Sequence, residues 1–218
     1  MSVNPKLPAG VFNIDCRDCT RLASFLDQVK DRHPDYHCRP VAPFGDRDAR
    51  LLIVGLAPGM HGANRTGRPF TGDFAGILLY ETLHRHGLGS KAESVSANDS
   101  LTLTGCRITN AVKCLPPQNK PTTEEIRVCN HYLSTEIDKM LPAGGVILAL
   151  GKIAHDSVLR SRGLKLSAYR FRHAAVHEVD GFTMVDSYHA SRYNTQTKRL
   201  TEKMFDDVVA QAAKLARV

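Results

Sequence analysis

The pattern of apolar and polar residues along the chain predicts strands that alternate with helices. Four strands are predicted, over residues 49–56, 105–113, 144–151 and 181–189. The first, ARLLIVGL, is a continuous apolar run, which is typical of a strand covered on both faces in a parallel sheet. A long loop rich in glycine, residues 57–73, follows it.

Five helices are predicted around these strands, over residues 20–32, 74–87, 121–141, 152–162 and 197–217. The helix over 121–141 begins with proline and has acidic residues in its first turn, and both features favour a helix start. Helices that alternate with strands pack on both faces of a parallel sheet. We therefore expect an α/β fold of three layers, formed by a single domain over residues 1–218, a length that suffices for one core.

The composition is that of a globular protein with an anionic partner. Hydrophobic residues make up 42% and charged residues 23%, which excludes a disordered or fibrous protein. The net charge of +7, with five basic residues and no acid in 160–173, favours nucleic acid as the partner. No apolar run reaches the roughly 20 residues of a membrane helix. The first ten residues lack the apolar core of a signal peptide, so we expect a cytoplasmic protein.

Four of the six cysteines are candidates for a metal centre. Cys16 and Cys19 form a C-x-x-C motif. Cys114 and Cys129 both lie in polar sequence that contains several prolines. Without a signal peptide disulfides are disfavoured, and zinc, an iron–sulfur cluster and plain thiols all remain open for these four residues. The other two cysteines are expected to be small buried thiols.

Polar and aromatic side chains follow the predicted strands where each strand ends. Phe70 and Asp73 lie in the glycine-rich loop, the second strand ends at Asn110, and the fourth ends at His189. The carboxyl ends of parallel strands meet at one edge of the sheet, where such sheets bind ligands. Each residue also has a structural interpretation, for example a helix cap for Asp73 and a core position for Phe70. The loop matches neither G-x-G-x-x-G nor the Walker A pattern, so a nucleotide cofactor is not expected.

Three segments, GLAPGMHGANRTGRPFTGD, RITNAVKCLPPQNKPT and SYHASRYNTQTKRLT, closely resemble the signature regions of one enzyme family. It is the type-b (family 5) uracil-DNA glycosylases, the iron–sulfur branch of the uracil-DNA glycosylase superfamily. The resemblance covers nearly the whole chain, and its first two motifs are long and specific. It implies a three-layer α/β/α sandwich with a short parallel central sheet. Type-a (family 4) relatives carry an acidic residue where this chain has Leu56, which favours type b.

The resemblance also implies roles for the residues at the strand ends. Phe70 would stack on a base extruded from the DNA, Asn110 would pair with the edge of uracil, and His189 would donate to its O2. Because the side chain at position 56 cannot hydrogen bond, we assign the orientation of the attacking water to Asp73, the nearest acid that can face the pocket. The catalytic set is therefore Asp73, Asn110 and His189. The further substrate-binding residues are Gly55, Leu56, Ala57, Gly59 and Arg192.

The four candidate cysteines look like the family's ligands for a [4Fe–4S] cluster, namely Cys16, Cys19, Cys114 and Cys129. No redox step is needed for hydrolysis, so the resemblance implies a structural cluster that ties the N-terminal segment to the loop after Asn110. The chain departs from the family at Ala190, where proline usually follows the histidine. Because proline fixes φ, this departure leaves open how rigid the loop is before DNA binds.

The expected function is hydrolysis of the N-glycosidic bond of uracil in double- and single-stranded DNA, the first step of base-excision repair. By family analogy the substrates extend to other deaminated bases such as hypoxanthine. A monomer without membrane association, located at the bacterial nucleoid, is expected. Two alternatives are a catalytically silent iron–sulfur DNA-binding protein, which would not need the four residues at the strand ends, and a type-a glycosylase.

Overall fold

A mixed sheet with helices on both faces forms the described part of the chain, residues 7–218 of a computed structural model. The strands are β1 (Phe44–Gly45), β2 (Leu51–Gly55), β3 (Cys106–Asn110), β4 (Val146–Leu150), β5 (Val176–Val179) and β6 (Phe182–Ser187). The helices are α1 (Thr20–Arg32), α2 (Ala63–Thr66), α3 (Phe74–Arg85), α4 (Thr123–Met140), α5 (Lys152–Ser161), α6 (Arg192–Gln196) and α7 (Glu202–Ala216). Within residues 7–218 no helix is both long and apolar enough to span a membrane.

The order of the strands in the sheet is β1-β3-β2-β4-β6-β5. The four central strands run parallel to one another, which confirms the four predicted strands and the parallel centre of the sheet. The two edge strands are antiparallel to their neighbours and were not predicted. β1 has only two residues, and β5 is partly exposed along its length, so neither produces a continuous apolar run in the sequence.

The side chains of β2 show how the three layers are built. Leu51 and Ile53 pack with residues of α3 and α7 on one face of the sheet. Leu52 and Val54 pack with residues of α4 and α5 on the other face. Successive side chains of a strand point to opposite faces, so a strand covered on both faces must be apolar throughout. The fold is therefore the expected three-layer α/β/α sandwich.

The helices agree with the predicted ones except in two places. The glycine-rich loop contains the short helix α2, and another short helix that was not predicted, α6, precedes the predicted C-terminal helix over 197–217, which begins only at Glu202 as α7. Residues 197–201 are not helical: Lys198 has a φ of 56°, and Thr201 caps α7, its side chain accepting the N–H of Met204 at 3.2 Å. The two remaining cysteines are buried thiols as expected, Cys38 being 8% exposed and Cys106 0% exposed.

Candidate active site

The carboxyl ends of β2 and β3 meet the glycine-rich loop in one tightly packed corner. Gly55 ends β2 and is paired in register with Asn110, which ends β3. A Cβ atom on Gly55 would lie 2.5 Å from Oδ1 of Asn110 and 2.6 Å from Cζ of Phe70. Only glycine leaves room for both the amide and the ring at this position. Three of the predicted substrate-binding residues therefore lie in direct contact around one corner.

The side-chain amide of Asn110 is buried without a protein partner for its oxygen. The residue is 3% exposed, and Oδ1 accepts no hydrogen bond from any of residues 7–218. An unpaired buried polar group costs about 1–3 kcal/mol. A ligand that presents an N–H group at this oxygen would remove that cost.

The ring of Phe70 forms a wall beside this amide. Phe70 is 6% exposed and has a φ of 53°, in the left-handed region that bulky side chains rarely adopt. Its ring lies 5.9 Å from the imidazole of His189, centroid to centroid, with an angle of 29° between the planes. Phe70 in the glycine-rich loop, Asn110 at the end of β3 and His189 after β6 are thus brought together.

The imidazole of His189 is electrically neutral in this site. Burial lowers the pKa of His189 to about 4, because a charged ring would lose its hydration. Gly151, at the start of α5, lies beside it: a Cβ atom there would be 3.4 Å from the Cβ atom of His189. A neutral imidazole carries one N–H group, which makes it a hydrogen-bond donor without a net charge.

Asp73 caps helix α3, as its structural interpretation predicted. Its Oδ1 accepts the N–H of Gly76 at 2.9 Å. Its Oδ2 faces the glycine-rich turn, since a Cβ atom on Gly59 would lie 3.5 Å from that oxygen and one on Gly62 would overlap it. Burial raises the pKa of Asp73, while the backbone N–H groups of Gly76 and Ala75 oppose the increase. One carboxylate oxygen is thus engaged in the cap while the other lies against the turn.

The predicted residues Leu56 and Ala57 connect this corner to the cysteines. The carbonyl of Leu56 accepts the N–H of Val112 at 3.0 Å, which continues the pairing of β2 with β3 beyond the end of both strands. Ala57 packs against the apolar cluster that contains Cys129. The main chain after β2 is therefore joined to the main chain after β3, which leads directly to Cys114.

The exposed side chains at the edge of this site belong to the start of α6. Arg192 is exposed, and its guanidinium carbon lies 5.2 Å from the centroid of the Phe74 ring. Tyr193 is 71% exposed. Among the basic residues of 160–173, Arg162 is turned inward, where it pairs with Asp138 at 2.5 Å. That arginine is accordingly not available to contact DNA.

The four candidate cysteines all line one cavity, and they are Cys16, Cys19, Cys114 and Cys129. Burial and the neighbouring Cys129 raise the pKa of Cys19 to about 11, and burial with the other cysteines raises the pKa of Cys114. The backbone N–H of Lys113 donates to Sγ of Cys129 at 3.3 Å. Thiols whose ionisation is opposed by burial and by neighbouring cysteines, as at Cys19 and Cys114, suit a cationic group that binds thiolates.

Three other potential ligands lie close together between α5 and the strands β5 and β6. Within residues 7–218, only His155, His177 and Asp186 bring three possible metal-ligating atoms within 4.8 Å of one another. The two histidines approach opposite oxygens of Asp186 at 2.7 and 3.0 Å. These are hydrogen-bond distances, and Nε2 of His155 also lies 3.1 Å from the carbonyl oxygen of Tyr169. The group is therefore a hydrogen-bonded structural cluster.

Two glycines that shape the site, Gly62 and Gly151, were not among the predicted site residues. Gly62 leaves room for the carboxylate of Asp73, and Gly151, with a φ of 99°, leaves room for His189. The signal in the sequence was present, because both are glycines at the carboxyl side of a predicted strand. Their role depends on close approach by side chains distant in sequence, which a local pattern does not show.

Comparisons with known proteins show to which family the chain belongs. The Uracil DNA glycosylase superfamily matches residues 42–213. The type-5 uracil-DNA glycosylase of Thermus thermophilus is 48% identical over 92% of this chain and 94% of the relative. That of Pyrobaculum aerophilum is 40% identical over 92% of this chain and 88% of the relative. The type-4 uracil-DNA glycosylase of Thermotoga maritima is 35% identical over 67% of each chain.

The matches to type-5 proteins extend over more of the chain than the match to the type-4 protein, and at higher identity. They cover about nine tenths of the chain, whereas the type-4 match covers about two thirds. The type-a alternative and the silent DNA-binding alternative are thus both disfavoured. The chain belongs to the uracil-DNA glycosylase superfamily and, within it, to the type-5 uracil-DNA glycosylases.

Proposed function

We propose that this uracil-DNA glycosylase extrudes uracil from DNA into the corner formed by Gly55, Phe70 and Asn110 and hydrolyses its N-glycosidic bond there. The observation that carries the proposal is the unpartnered Oδ1 of Asn110 beside the Phe70 ring. Uracil offers a flat face for stacking and an N3–H group that donates to an amide oxygen. The amide nitrogen of Asn110 donates in turn to uracil O4. Cytosine has no hydrogen on N3, so its ring nitrogen would face the amide oxygen without a bond.

His189 stabilises the charge that develops on the base as the bond breaks. The departing uracil gains negative charge at O2, and a donor aimed at that atom is worth about 2–4 kcal/mol in the transition state. The low pKa of His189 supports a neutral imidazole as this donor. A backbone N–H group of the turn at Gly59 adds a second donor.

Asp73 orients the water that attacks C1′ of the sugar. The side chain of Leu56 can neither donate nor accept a hydrogen bond, and Oδ2 of Asp73 lies against the same turn. The carboxylate accepts a proton from the water and opposes the positive charge of an oxocarbenium-like sugar. The cap bond from Gly76 to Oδ1 fixes the orientation of the carboxylate for this task.

Arg192 enters the duplex or holds its backbone when the nucleotide leaves the stack. The exposed position at the start of α6 supports this role, as does the adjacent exposed Tyr193. The basic residues 160–173, apart from the inward-facing Arg162, supply contacts to phosphates. Phosphate contacts release counterions, so DNA binding weakens steeply as the salt concentration rises.

The four cysteines hold a [4Fe–4S] cluster with a structural role. The spacing of the sulfur atoms supports the cluster over a single zinc ion. Four sulfur ligands at about 2.3 Å from one zinc lie about 3.8 Å from one another, whereas no three of these sulfurs lie within 4.8 Å. A cluster has the larger span and takes four cysteines. When bound, the group ties the segment with Cys16 and Cys19 to the loop that follows Asn110.

The substrate range follows from the same contacts. Hypoxanthine presents an N–H group beside a carbonyl, as uracil does, so Asn110 also accepts this deaminated base. The pocket takes an extruded base from double- or single-stranded DNA. The chain acts as a monomer and as one domain over residues 1–218, in the cytoplasm at the nucleoid.

The decisive experiment measures base release by the purified protein from duplexes that carry uracil, hypoxanthine, xanthine or thymine opposite each base. We expect release of uracil and hypoxanthine, and retention of thymine. Asn110→Asp should strongly reduce uracil release, because the carboxylate repels O4, and weak release of cytosine should appear. Uracil release by Asn110→Asp at the wild-type rate would contradict the role of this residue. DNA binding by the wild-type protein without release of any base would support the silent DNA-binding alternative.

A further inference from the structure

The backbone at Phe70 is held in a conformation that this residue does not favour. Its φ of 53° lies in the left-handed region, where bulky side chains are rare. Such conformations persist only when the surrounding structure fixes them, and they occur often at functional sites. The contacts that fix Phe70 therefore determine where its ring stands.

The residue two positions before Phe70 is anchored by a buried ion pair. The guanidinium of Arg68 donates to Oδ1 of Asp99 at 2.6 Å, to Oγ of Ser94 at 3.1 Å and to the carbonyl of Ala97 at 2.7 Å. Its carbon also lies 4.3 Å from the centroid of the Phe44 ring. The side chains of Arg68 and Asp99 are only 6% and 8% exposed.

The residues on either side of Phe70 are anchored as well. The hydroxyl of Tyr80 donates to the carbonyl of Pro69 at 2.7 Å. The hydroxyl of Thr71 hydrogen bonds with that of Ser94 at 2.7 Å. Pro69 and Thr71 are thus both fixed, one by helix α3 and the other by a loop distant in sequence.

That loop, residues 90–100, is internally ordered. Gly89 and Leu103 form an antiparallel bridge at its base. The carboxylate of Asp99 accepts the backbone N–H groups of Val95 at 2.8 Å and Leu101 at 3.0 Å. Burial opposes ionisation of Asp99, but the bonds from Arg68 and from the backbone outweigh it and lower its pKa to about 2. The carboxylate therefore stays charged across the pH range of an enzyme assay.

We infer that the 90–100 loop is a positioning element, which sets the ring of Phe70 for stacking through the Arg68–Asp99 ion pair and the Thr71–Ser94 hydrogen bond. The inference rests on the proposed stacking role of Phe70. None of the 90–100 residues is among those proposed to contact the base, so they act through the segment around Phe70. Stacking energy depends on the position of the ring plane, and a relaxed backbone at Phe70 loses part of it.

The test is a double-mutant cycle between the 90–100 loop and Phe70, measured by single-turnover release of uracil. Ser94→Ala removes the bond to Thr71, together with the longer bond from Arg68, with a small change in volume, and Asp99→Asn removes the charge. Ser96→Ala is the matched control, because its hydroxyl is bonded only to the backbone N–H of Asn98, within the loop. We expect a three- to tenfold loss of rate for Ser94→Ala, about the factor that one hydrogen bond carries. Asp99→Asn should lose more, and Ser96→Ala nothing.

Two measurements separate positioning of Phe70 from a general loss of stability. They are the melting temperature of each variant and the rate of each loop variant in the Phe70→Ala background. If the loop acts through Phe70, Ser94→Ala causes no further loss once Phe70 is alanine. An equal loss in both backgrounds overturns the inference, as does full activity of Ser94→Ala and Asp99→Asn alongside a slow Phe70→Ala. Full activity of Phe70→Ala instead overturns the stacking role itself, so the two failures are distinguishable.

Discussion

The side-chain amide of Asn194 donates a hydrogen bond to the main-chain carbonyl of His189 at 2.8 Å. The hydroxyl of Ser191 accepts the backbone N–H of Asn194, which closes a compact turn around the wholly buried Ala190. The turn is thus held by hydrogen bonds at a position where the sequence lacks the family's proline. We expect Asn194→Ala to slow uracil release by up to about tenfold, because a net hydrogen bond contributes about 0.5–1.5 kcal/mol to holding the turn.

Rescue by proline checks the interpretation of this turn. The N–H of Ala190 donates no hydrogen bond within residues 7–218, so a proline there removes none. Ala190→Pro in the Asn194→Ala background should recover most of the lost single-turnover rate, since proline restricts the unbound loop. Recovery of the melting temperature without recovery of the rate would show that the turn does not position His189.

The two roles of Asp73 are separated by two substitutions. Asparagine caps a helix about as well as aspartate, so Asp73→Asn should keep the melting temperature. It should lose about 10²–10⁴-fold in single-turnover rate, the usual contribution of a positioned base. Asp73→Ala should lose both rate and stability. A fully active Asp73→Asn protein would leave only the cap, with His189 as the main source of rate enhancement.

The partly buried imidazole of His189 predicts a pH dependence of stability. Its pKa is about 4 in the folded protein against an ordinary 6.5, so between these values the unfolded chain binds more protons. The stability due to the neutral ring is complete above pH 6.5 and is lost as the pH falls towards 4. One pKa unit corresponds to about 1.4 kcal/mol, which gives about 3 kcal/mol in all.

The measurement is urea unfolding between pH 4 and pH 7 for the wild type and for His189→Gln. Glutamine does not titrate, so the free energy of unfolding of the variant should fall less on acidification. Parallel curves for the two proteins would show that His189 titrates normally. Uracil release should likewise show no step near pH 6.5 in the wild type.

The exposed Arg192 predicts a difference between substrates. Base extrusion from a duplex needs the vacated space to be filled, whereas a single strand has no partner stack to open. Arg192→Ala should therefore weaken uracil release from duplex DNA more than from single-stranded DNA. An equal loss on both substrates, with a flatter dependence of binding on salt, would indicate a simple phosphate contact instead.

The cysteine cavity predicts iron and sulfide in the freshly purified protein, which should be brown. Cys16→Ser should lower the soluble yield and the iron content, because the cluster would lose one of its four ligands. Cys106→Ala is the control, since this thiol is buried in the core and its one hydrogen bond within residues 7–218 is to the carbonyl of Leu88 at 3.8 Å. Zinc in a colourless and fully active protein would contradict the assignment.

The central sheet could be predicted because its strands are buried on both faces, which leaves continuous apolar runs such as Leu51–Gly55. Edge strands such as Val176–Val179 could not, because exposure on one side removes that pattern. Asn110 and His189 could be proposed as site residues because a strand end places them at the edge of the sheet where such folds bind ligands.

Contacts between residues distant in sequence were beyond prediction. Nothing local in the sequence shows that Arg68 reaches Asp99, 31 residues further on, or that Arg162 turns inward to Asp138. A basic residue in a segment without acids is expected to contact DNA. Arg162 does not meet this expectation, because its ion pair with Asp138 forms where α4 packs against α5. Likewise the sequence does not show that Oδ1 of Asp73 is bonded in the helix cap while Oδ2 lies against the glycine-rich turn.

The missing Cβ atom at Gly55 has a consequence for altering the range of bases that this protein accepts. A methyl group there would collide with both Asn110 and Phe70, so no variation at this position can reshape the floor of the pocket without destroying it. Substitutions that admit larger or differently substituted bases must therefore be made at residues that line the sides of the pocket. The partly buried Leu56 and the exposed Tyr193 are positions where a different side chain can be accommodated.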